Sequence, residues 1–351
     1  VNRADVEARL HAGGTLTDLD LAGVDLAGAS LAGAVFTGVS LRGASLCGAH
    51  LAEVVFEDCD LTDADLGEAT GDFAIFSRCD LTGARLKGAS LRSARFSEVS
   101  LVRADLTAVQ LARATLDRCD LTGASLRGVS LDGVTILSCL VESLDLTNAS
   151  FAGALLFKVD LNTATLTGTT LRGAIFHECV LTALDLTGAD LTRTQFAGCD
   201  MANVILERAT LTQCGFQGAN LAQANLKRAT GTAVVFVDAQ LRHATLHGAR
   251  LPNSLLVGAD LRGANLTDAD LRGCVLQRVN AVGALLMGAA LAEADFSYAE
   301  VSRANFTGAS LDGALFHGAV ALDTVGRSVG WIGDDVELAA AERRMKGVDA
   351  S

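Results

Sequence analysis

From Leu16 through Leu21, Leu26, Leu31, Phe36 and Leu41 to Phe316, a Leu or Phe recurs every fifth residue without a phase slip. The exceptions at this central position are Gly71, Ile136, Val141, Met201, Gly231, Ala281 and Val301, and only the two glycines and the alanine remove most of the side chain. A helix repeats on 3.6 residues and a strand on 2, so a period of five requires each unit to extend and then turn. The residue types say where. Two positions before the central residue stands nearly always Ala, Val or Cys, and the position one before it favours Asp, Asn, Ser or Thr. Small apolar, polar, large apolar is the order expected of three extended residues whose first and third side chains face inward. Two positions after it, Gly is frequent, as at Gly23, Gly28 and Gly33, which suits a corner that needs positive φ.

A second period counts the corners. Phe occupies the central slot at 36, 56, 76 and 96, at 176, 196, 216 and 236, and at 296 and 316, each group spaced by twenty residues and all in one phase. Cys59 and Cys79, Cys119 and Cys139, and Cys179 and Cys199 repeat the spacing independently. Four pentapeptides therefore close one coil, and successive coils stack identical side chains. At about 4.8 Å between paired strands, some fifteen coils would give a rod of roughly 73 Å. A stack of this kind exposes strand edges only at its two ends, which need covers. Residues 3–12 read as a short helix with Asn2 as N-cap, Val6 and Leu10 on one face and Gly13 as the stop. After Phe316 the repeat dissolves, and Asp334-Asp335-Val336-Glu337 opens a second expected helix running to about Lys346. Trp331 and Ile332 are expected either to seal the last coil or to pair two copies end to end, so the chain reads as a monomer or a C-terminally mediated dimer. The expected organisation is an N-terminal helical cap at 1–15, a β-helix at 16–318 and a C-terminal cap or dimerisation segment at 319–351.

The phrases LAGAS, LRGAS, LTGAD and LRGAN, repeated in phase over residues 16 to 318, resemble the pentapeptide-repeat family. The resemblance implies an all-β solenoid, a right-handed quadrilateral β-helix with short helical caps. Its characterised members include quinolone-resistance proteins that mimic DNA and engage DNA gyrase. It also includes long modules that occur beside bacterial secretion-system components.

Composition excludes several other readings. One Pro and an even mix of Ala, Leu, Gly and Thr leave no interdomain linker. A formal charge of −13 argues against direct nucleic-acid binding. The first ten residues, with Arg3, Asp5, Glu7 and Arg9, do not read as a signal peptide, and no apolar run reaches the roughly 18 residues of a membrane span. An odd count of nine cysteines then suits reduced thiols and a cytoplasmic setting.

No catalytic constellation emerges, and the chain reads as a non-enzyme without cofactor or metal. The inward positions are Leu, Phe, Ala, Val and Cys, which gather no acid, base or nucleophile. His243 and His247 have a helical metal-ligand spacing, but here they fall on consecutive outward corners. The many Asp residues one before the centre, such as Asp20, Asp25, Asp60, Asp65 and Asp80, suit hydrogen bonds to nearby backbone amides. Eight cysteines take the small inward slot, and Cys47 alone points outward. At Gly71 and Gly231 the missing Leu is expected to leave a void unless neighbours such as Phe73 lean in, so Leu at either site is expected to raise thermal stability.

Function must then reside on the outer surface. On the Phe-bearing face the usually polar slot reads Val35, Val55 and Ile75, then Leu155 and Ile175, then Val235, Leu255 and Val275, and finally Leu315. Corner residues Leu137, Phe157, Val237 and Val257 lie beside them. Apolar strips of this length are the expected docking surface for a protein partner; a preference of β-branched residues for flat strands is the competing explanation. An acidic girdle is expected at Glu53, Glu57, Asp58, Asp60, Asp63, Asp65, Glu68 and Asp72, where no Lys or Arg stands between Arg42 and Arg78. Two functions follow as expectations. One is a rigid protein-interaction scaffold, with a secretion component as a possible partner. The alternative is a DNA mimic that binds gyrase, although duplex DNA of the expected length would carry about 43 phosphate charges.

Overall fold

The computed structural model describes residues 3–11, 15–326 and 331–333. Two compact units divide the chain, Val1–Val180 and Leu181–Ser351. Each is a parallel β-solenoid in which residue i pairs with residue i+20.

In the first unit, helix α1 (Arg3–His11) precedes β1 (Leu16–Thr17), β2 (Val35–Thr37), β3 (Val55–Glu57), β4 (Ile75–Ser77), β5 (Arg95–Ser97), β6 (Thr115–Asp117), β7 (Thr135–Leu137), β8 (Leu155–Phe157) and β9 (Ile175–His177). The strands stack in order and in register, Phe36 on Phe56, Phe56 on Phe76 and Phe76 on Phe96. The other three sides pair through single residues, as at Asp20↔Ser40, Asp25↔Ser45 and Ser30↔His50. The helix is anchored by the Arg3 guanidinium, which donates to the Ala27 carbonyl at 2.8 Å and the Gly28 carbonyl at 3.2 Å, and by the buried Val6. It ends at His11, where the sequence suggested 12; Asn2 and Gly13 lie outside the described residues.

The second unit holds β10 (Gln195–Ala197), β11 (Ala314–Leu315) and β12 (Trp331–Ile332), and otherwise pairs by single bridges such as Asp200↔Asn220 and Thr210↔Thr230. Strand β12 lies parallel to β11, with Trp331 opposite Ala314, a shorter step than the coil. The expected helix from Asp334 to Lys346 lies outside the described residues.

Strands of two or three residues account for about nine turns, fewer than the fifteen coils expected from the period. The difference lies in the corner after the Phe-bearing side. On the other sides the corner closes with a bond from residue i+3 to residue i, as in Val24 N–H to Leu21 O at 3.1 Å and Ala29 N–H to Leu26 O at 2.9 Å. After Phe36, Phe56, Phe76, Phe96, Leu116, Ile136 and Leu156 no such bond forms, so the chain stays extended for three residues. In the second unit the same corner is closed after Phe216, Phe236, Leu256, Leu276, Phe296 and Phe316, at 3.0 to 3.2 Å, and only single bridges remain. Side-chain size follows the change at most corners. The residue following the open corners is Val39, Cys59, Cys79, Val99, Cys119, Cys139 or Val159, whereas the closed ones are followed by Ala219, Ala239, Ala259, Ala299 or Ala319. Val279 and Cys199 are the exceptions, closing at 3.2 and 3.4 Å, so a larger inward side chain favours the wider corner without dictating it.

The two inward positions of each unit are buried almost without exception. Phe rings stack 4.8, 5.3 and 4.8 Å apart along Phe36, Phe56, Phe76 and Phe96, and 5.4 and 5.1 Å apart along Phe196, Phe216 and Phe236. Positive φ at the corner extends well beyond glycine, to Asp58 at 53°, Arg78 at 50° and Phe73 at 61°.

The expected voids at Gly71 and Gly231 are absent. A Cβ at Gly71 would meet the Leu91 Cδ2 at 3.0 Å, so that leucine already fills the space, while Phe73 turns outward and is 61% exposed. At Gly231 a Cβ would lie 2.7 Å from the Leu211 carbonyl carbon and 2.8 Å from the Thr212 nitrogen. Backbone rather than side chain has closed in there.

Candidate functional site

The inward positions are committed to packing. The aspartates before the central residue accept from the amide two residues ahead, Asp20 from Ala22 at 3.0 Å, Asp60 from Thr62 at 2.9 Å and Asp80 from Thr82 at 2.8 Å, which is the local bond their spacing suggested. Where the next turn carries Thr, as at Thr107, Thr147 and Thr187, the hydroxyl first and the amide also hold Asp105, Asp145 and Asp185 below the usual carboxylate range.

All nine cysteines are free thiols, eight of them buried and Cys47 exposed. The inward thiols donate to carbonyls of the preceding coil, Cys59 to Phe36 O and Cys79 to Phe56 O at 3.4 Å, and Cys274 to Leu251 O at 3.1 Å. The neighbouring thiol and burial push Cys79 and Cys139 up, and burial pushes Cys274 up to about 12, so these sulfurs are held as unreactive thiols. His243 and His247 stay on their separate corners; the His247 Nδ1 lies 3.1 Å from the Thr267 carbonyl oxygen. Among the described residues, no group of three His, Cys, Asp or Glu side chains could hold a metal ion. Nor is any described helix long and apolar enough to cross a membrane.

The expected acidic girdle is compensated only in part: three arginines pair with four of its eight acids. The twenty-residue step brings each acid beside the next coil's residue. Arg78 binds Asp58 and Glu57, both at 2.7 Å, and Arg85 binds Asp65 at 3.2 Å. Asp60 stands 3.9 Å from Arg42, and Asp72 accepts from the Ser90 hydroxyl at 2.5 Å and the Arg92 amide at 3.1 Å. The Arg78 guanidinium holds Asp58 below the usual carboxylate range. Glu53, Asp63 and Glu68 make no ion pair among the described residues. In the second unit Arg262 and Arg242 enclose Asp260. Burial alone would raise its carboxyl, but the two guanidiniums bring it down to about 2.

The apolar slots project from the outer face as their alternation required. In the first unit Val35, Val55 and Ile75 are direct cross-strand neighbours on β2, β3 and β4. Arg95, Thr115 and Thr135 interrupt them, and Leu155 and Ile175 resume on β8 and β9. Leu137, Phe157 and His177 are a second ladder two residues along. The Phe157 ring lies 5.5 Å from His177, under the Lys158 ammonium at 5.0 Å, and Lys158 pairs with Glu178 at 3.4 Å. In the second unit Val235, Leu255 and Val275 form one column and Val237 and Val257 stand beside it.

Side chains stacked one coil apart cover each other's flanks, so Val35, Val55, Leu137, Leu155, Phe157, Val235, Val237, Val257 and Val275 are only half-exposed. Ile75, Ile175, Leu255 and Leu315 are exposed, Ile175 at 42%. Sequence reasoning overlooked Leu140, 64% exposed on the neighbouring side, and offered Phe73 as a side chain leaning inward, where it points outward. Both stood in slots whose pattern is outward: Leu140 where Asp is usual, Phe73 where Gly is usual.

Profiles for a pentapeptide repeat region match residues 49–126, and profiles for pentapeptide repeats match 16–51, 142–173, 174–213, 211–251, 239–278 and 284–320. No curated protein matches the sequence. Among solved structures, full-length QnrB1, a plasmid-mediated fluoroquinolone resistance protein, is 20% identical over 56% of this chain and 99% of its own, with a TM-score of 0.41. HetL, a pentapeptide repeat protein involved in heterocyst differentiation regulation from Nostoc sp. strain PCC 7120, is 26% identical over 75% of this chain and 96% of its own, with a TM-score of 0.17. The five-residue period, the four-cornered coil and profile matches over most of the sequence place this chain in the pentapeptide-repeat family.

Proposed function

We propose that this chain is a non-catalytic scaffold that binds a protein partner through the apolar outer slots of its strand-bearing side. The observation that carries this reading is the cluster of Leu137, Leu155, Phe157 and Ile175 on three adjacent strands, all facing outward where the repeat otherwise places polar residues. Apolar surface gathered in this way is uncommon on a protein without a partner. Phe157 under its lysine supplies the broad aromatic contact that dominates protein interfaces. Changing Leu155, Phe157 and Ile175 together to Asp is expected to abolish capture of a protein that the unaltered chain retains from its host. The circular-dichroism spectrum should not change, because these side chains lie outside the core. Unchanged capture by the triple variant would remove this face from consideration.

The net charge of −13 supports a second reading, a DNA mimic that engages gyrase. A supercoiling assay separates the two. Submicromolar protein that neither inhibits gyrase nor protects it from a quinolone leaves the scaffold reading alone standing.

A further inference from the structure

Three irregularities of the repeat meet at one place in the second unit. Gly231 stands where Leu or Phe is the rule, Pro252 is the only proline of the chain, and Ser254 takes an inward slot that is otherwise mostly Ala, Val or Cys. Around Gly231 the hydrogen-bonded corner is lost. The Val234 amide, which by pattern would close on residue 231, donates instead to the fully buried Ser254 hydroxyl at 3.2 Å. The Ser254 amide in turn donates to Cys274 Sγ at 3.4 Å. The Ala233 amide also departs from its neighbours. Gln213 donates to Thr232 O and Asn253 to Arg272 O, both at 2.9 Å, but Ala233 makes no equivalent bond. Ser254 has therefore replaced a backbone acceptor so that the chain at 231–233 can sit close against Leu211 and Thr212.

The outcome at the surface is an open depression lined by Thr212, Thr230, Gly231, Thr232, Arg250, Pro252, Asp270 and Arg272. Asp270 is its single carboxylate, and Arg272 engages both of that residue's oxygens at 2.8 Å. Arg250 is thus the excess cation. Neither its guanidinium nor the hydroxyls of Thr212, Thr230 and Thr232 make a hydrogen bond or ion pair among the described residues. Three hydroxyl donors and a guanidinium around a concavity suit a tetrahedral oxyanion with several acceptor oxygens.

We propose that this depression binds a phosphate group, with Arg250 and the Thr212, Thr230 and Thr232 hydroxyls as its donors. The site is independent of the apolar side, so either can fail without the other.

Calorimetric titration of the full chain with inorganic phosphate at low ionic strength is expected to give saturable binding, and amide resonances of residues 230–233 should shift with the same constant. Arg250→Ala is expected to weaken binding about tenfold or more, and Thr232→Val about threefold, the guanidinium contact being the charge-assisted one. Both side chains are exposed, so melting curves should match the parent. Phenyl phosphate distinguishes the source. Tighter binding than the free ion points to a phosphate monoester whose substituent lies against Pro252, and equal binding points to the ion alone. Absence of saturable binding in the parent, or equal affinities in the parent and both variants, overturns the proposal.

Discussion

Phe216→Ala is expected to lower stability by about 3–5 kcal/mol, whereas Phe73→Ala should change it by less than about 0.5 kcal/mol. The residue type is the same; the slot decides. Phe216 is fully buried, its ring 5.4 Å from Phe196 on one side and 5.1 Å from Phe236 on the other. Truncation removes contacts with both neighbouring coils at once. Neighbour contacts are the main source of cohesion in a solenoid, because each coil touches only the coils beside it. The stacked rings are already in van der Waals contact and cannot move together without shortening the backbone ladder, so the cavity should persist. Phe73 occupies a corner with φ of 61° and points to solvent, 61% exposed. Denaturant unfolding of the two variants checks the contrast. Equal losses would mean that Phe73 contributes to a core, contrary to its placement.

The five-residue and twenty-residue periods made the core legible, because a side chain that must face the axis every fifth residue leaves a chemical mark at each turn. Leu21, Phe36, Ala44 and Cys59 lie inside as their slots required. The same column logic bears on the acidic girdle. Asp58 and Arg78 are twenty residues apart, so their ion pair was implicit in the spacing, but a linear scan for charge runs treats them as separate features. The widened corner left a partial mark in the sequence, Val and Cys giving way to Ala at most coils but not at Cys199 or Val279. It was illegible because both sets fit an apolar inward slot equally well. What no pattern could supply is local accommodation. Leu91 leaning over Gly71, and Ser254 taking over the Val234 amide, depend on distances of a few ångströms between coils. The candidate surface was read in part: the outward direction of Leu155, Phe157 and Ile175 follows from alternation, but their half-burial follows from the tight stacking of coils.

Gly231→Leu is expected to destabilise the protein by about 3 kcal/mol or more, at or above the usual upper range for overpacking, the reverse of the gain that a missing core leucine suggests. The first added carbon already meets Leu211 backbone at 2.7 Å and Thr212 backbone at 2.8 Å, distances at which atoms must move. Backbone cannot move here without cost. The Gly231 amide bonds to Arg250 O at 2.9 Å and the Leu211 amide to Thr230 O at 2.7 Å, so displacing the segment strains the ladder on both sides. Gly71→Ala is the control. There the Cβ meets the end of a leucine side chain at 3.0 Å, which a small rotation of Leu91 can relieve. Loss of glycine's freedom in the unfolded chain offsets part of that cost, so the change should stay within about 1 kcal/mol. Thermal melts of the two variants test the distinction. If Gly231→Leu melted at or above the parent temperature, the close approach of the two segments would be wrong, and with it the depression between Thr212 and Arg250. A shorter step, Gly231→Ala, narrows the cause: a substantial loss from one methyl group locates the conflict at the backbone, whereas a loss confined to Leu would place it deeper in the core.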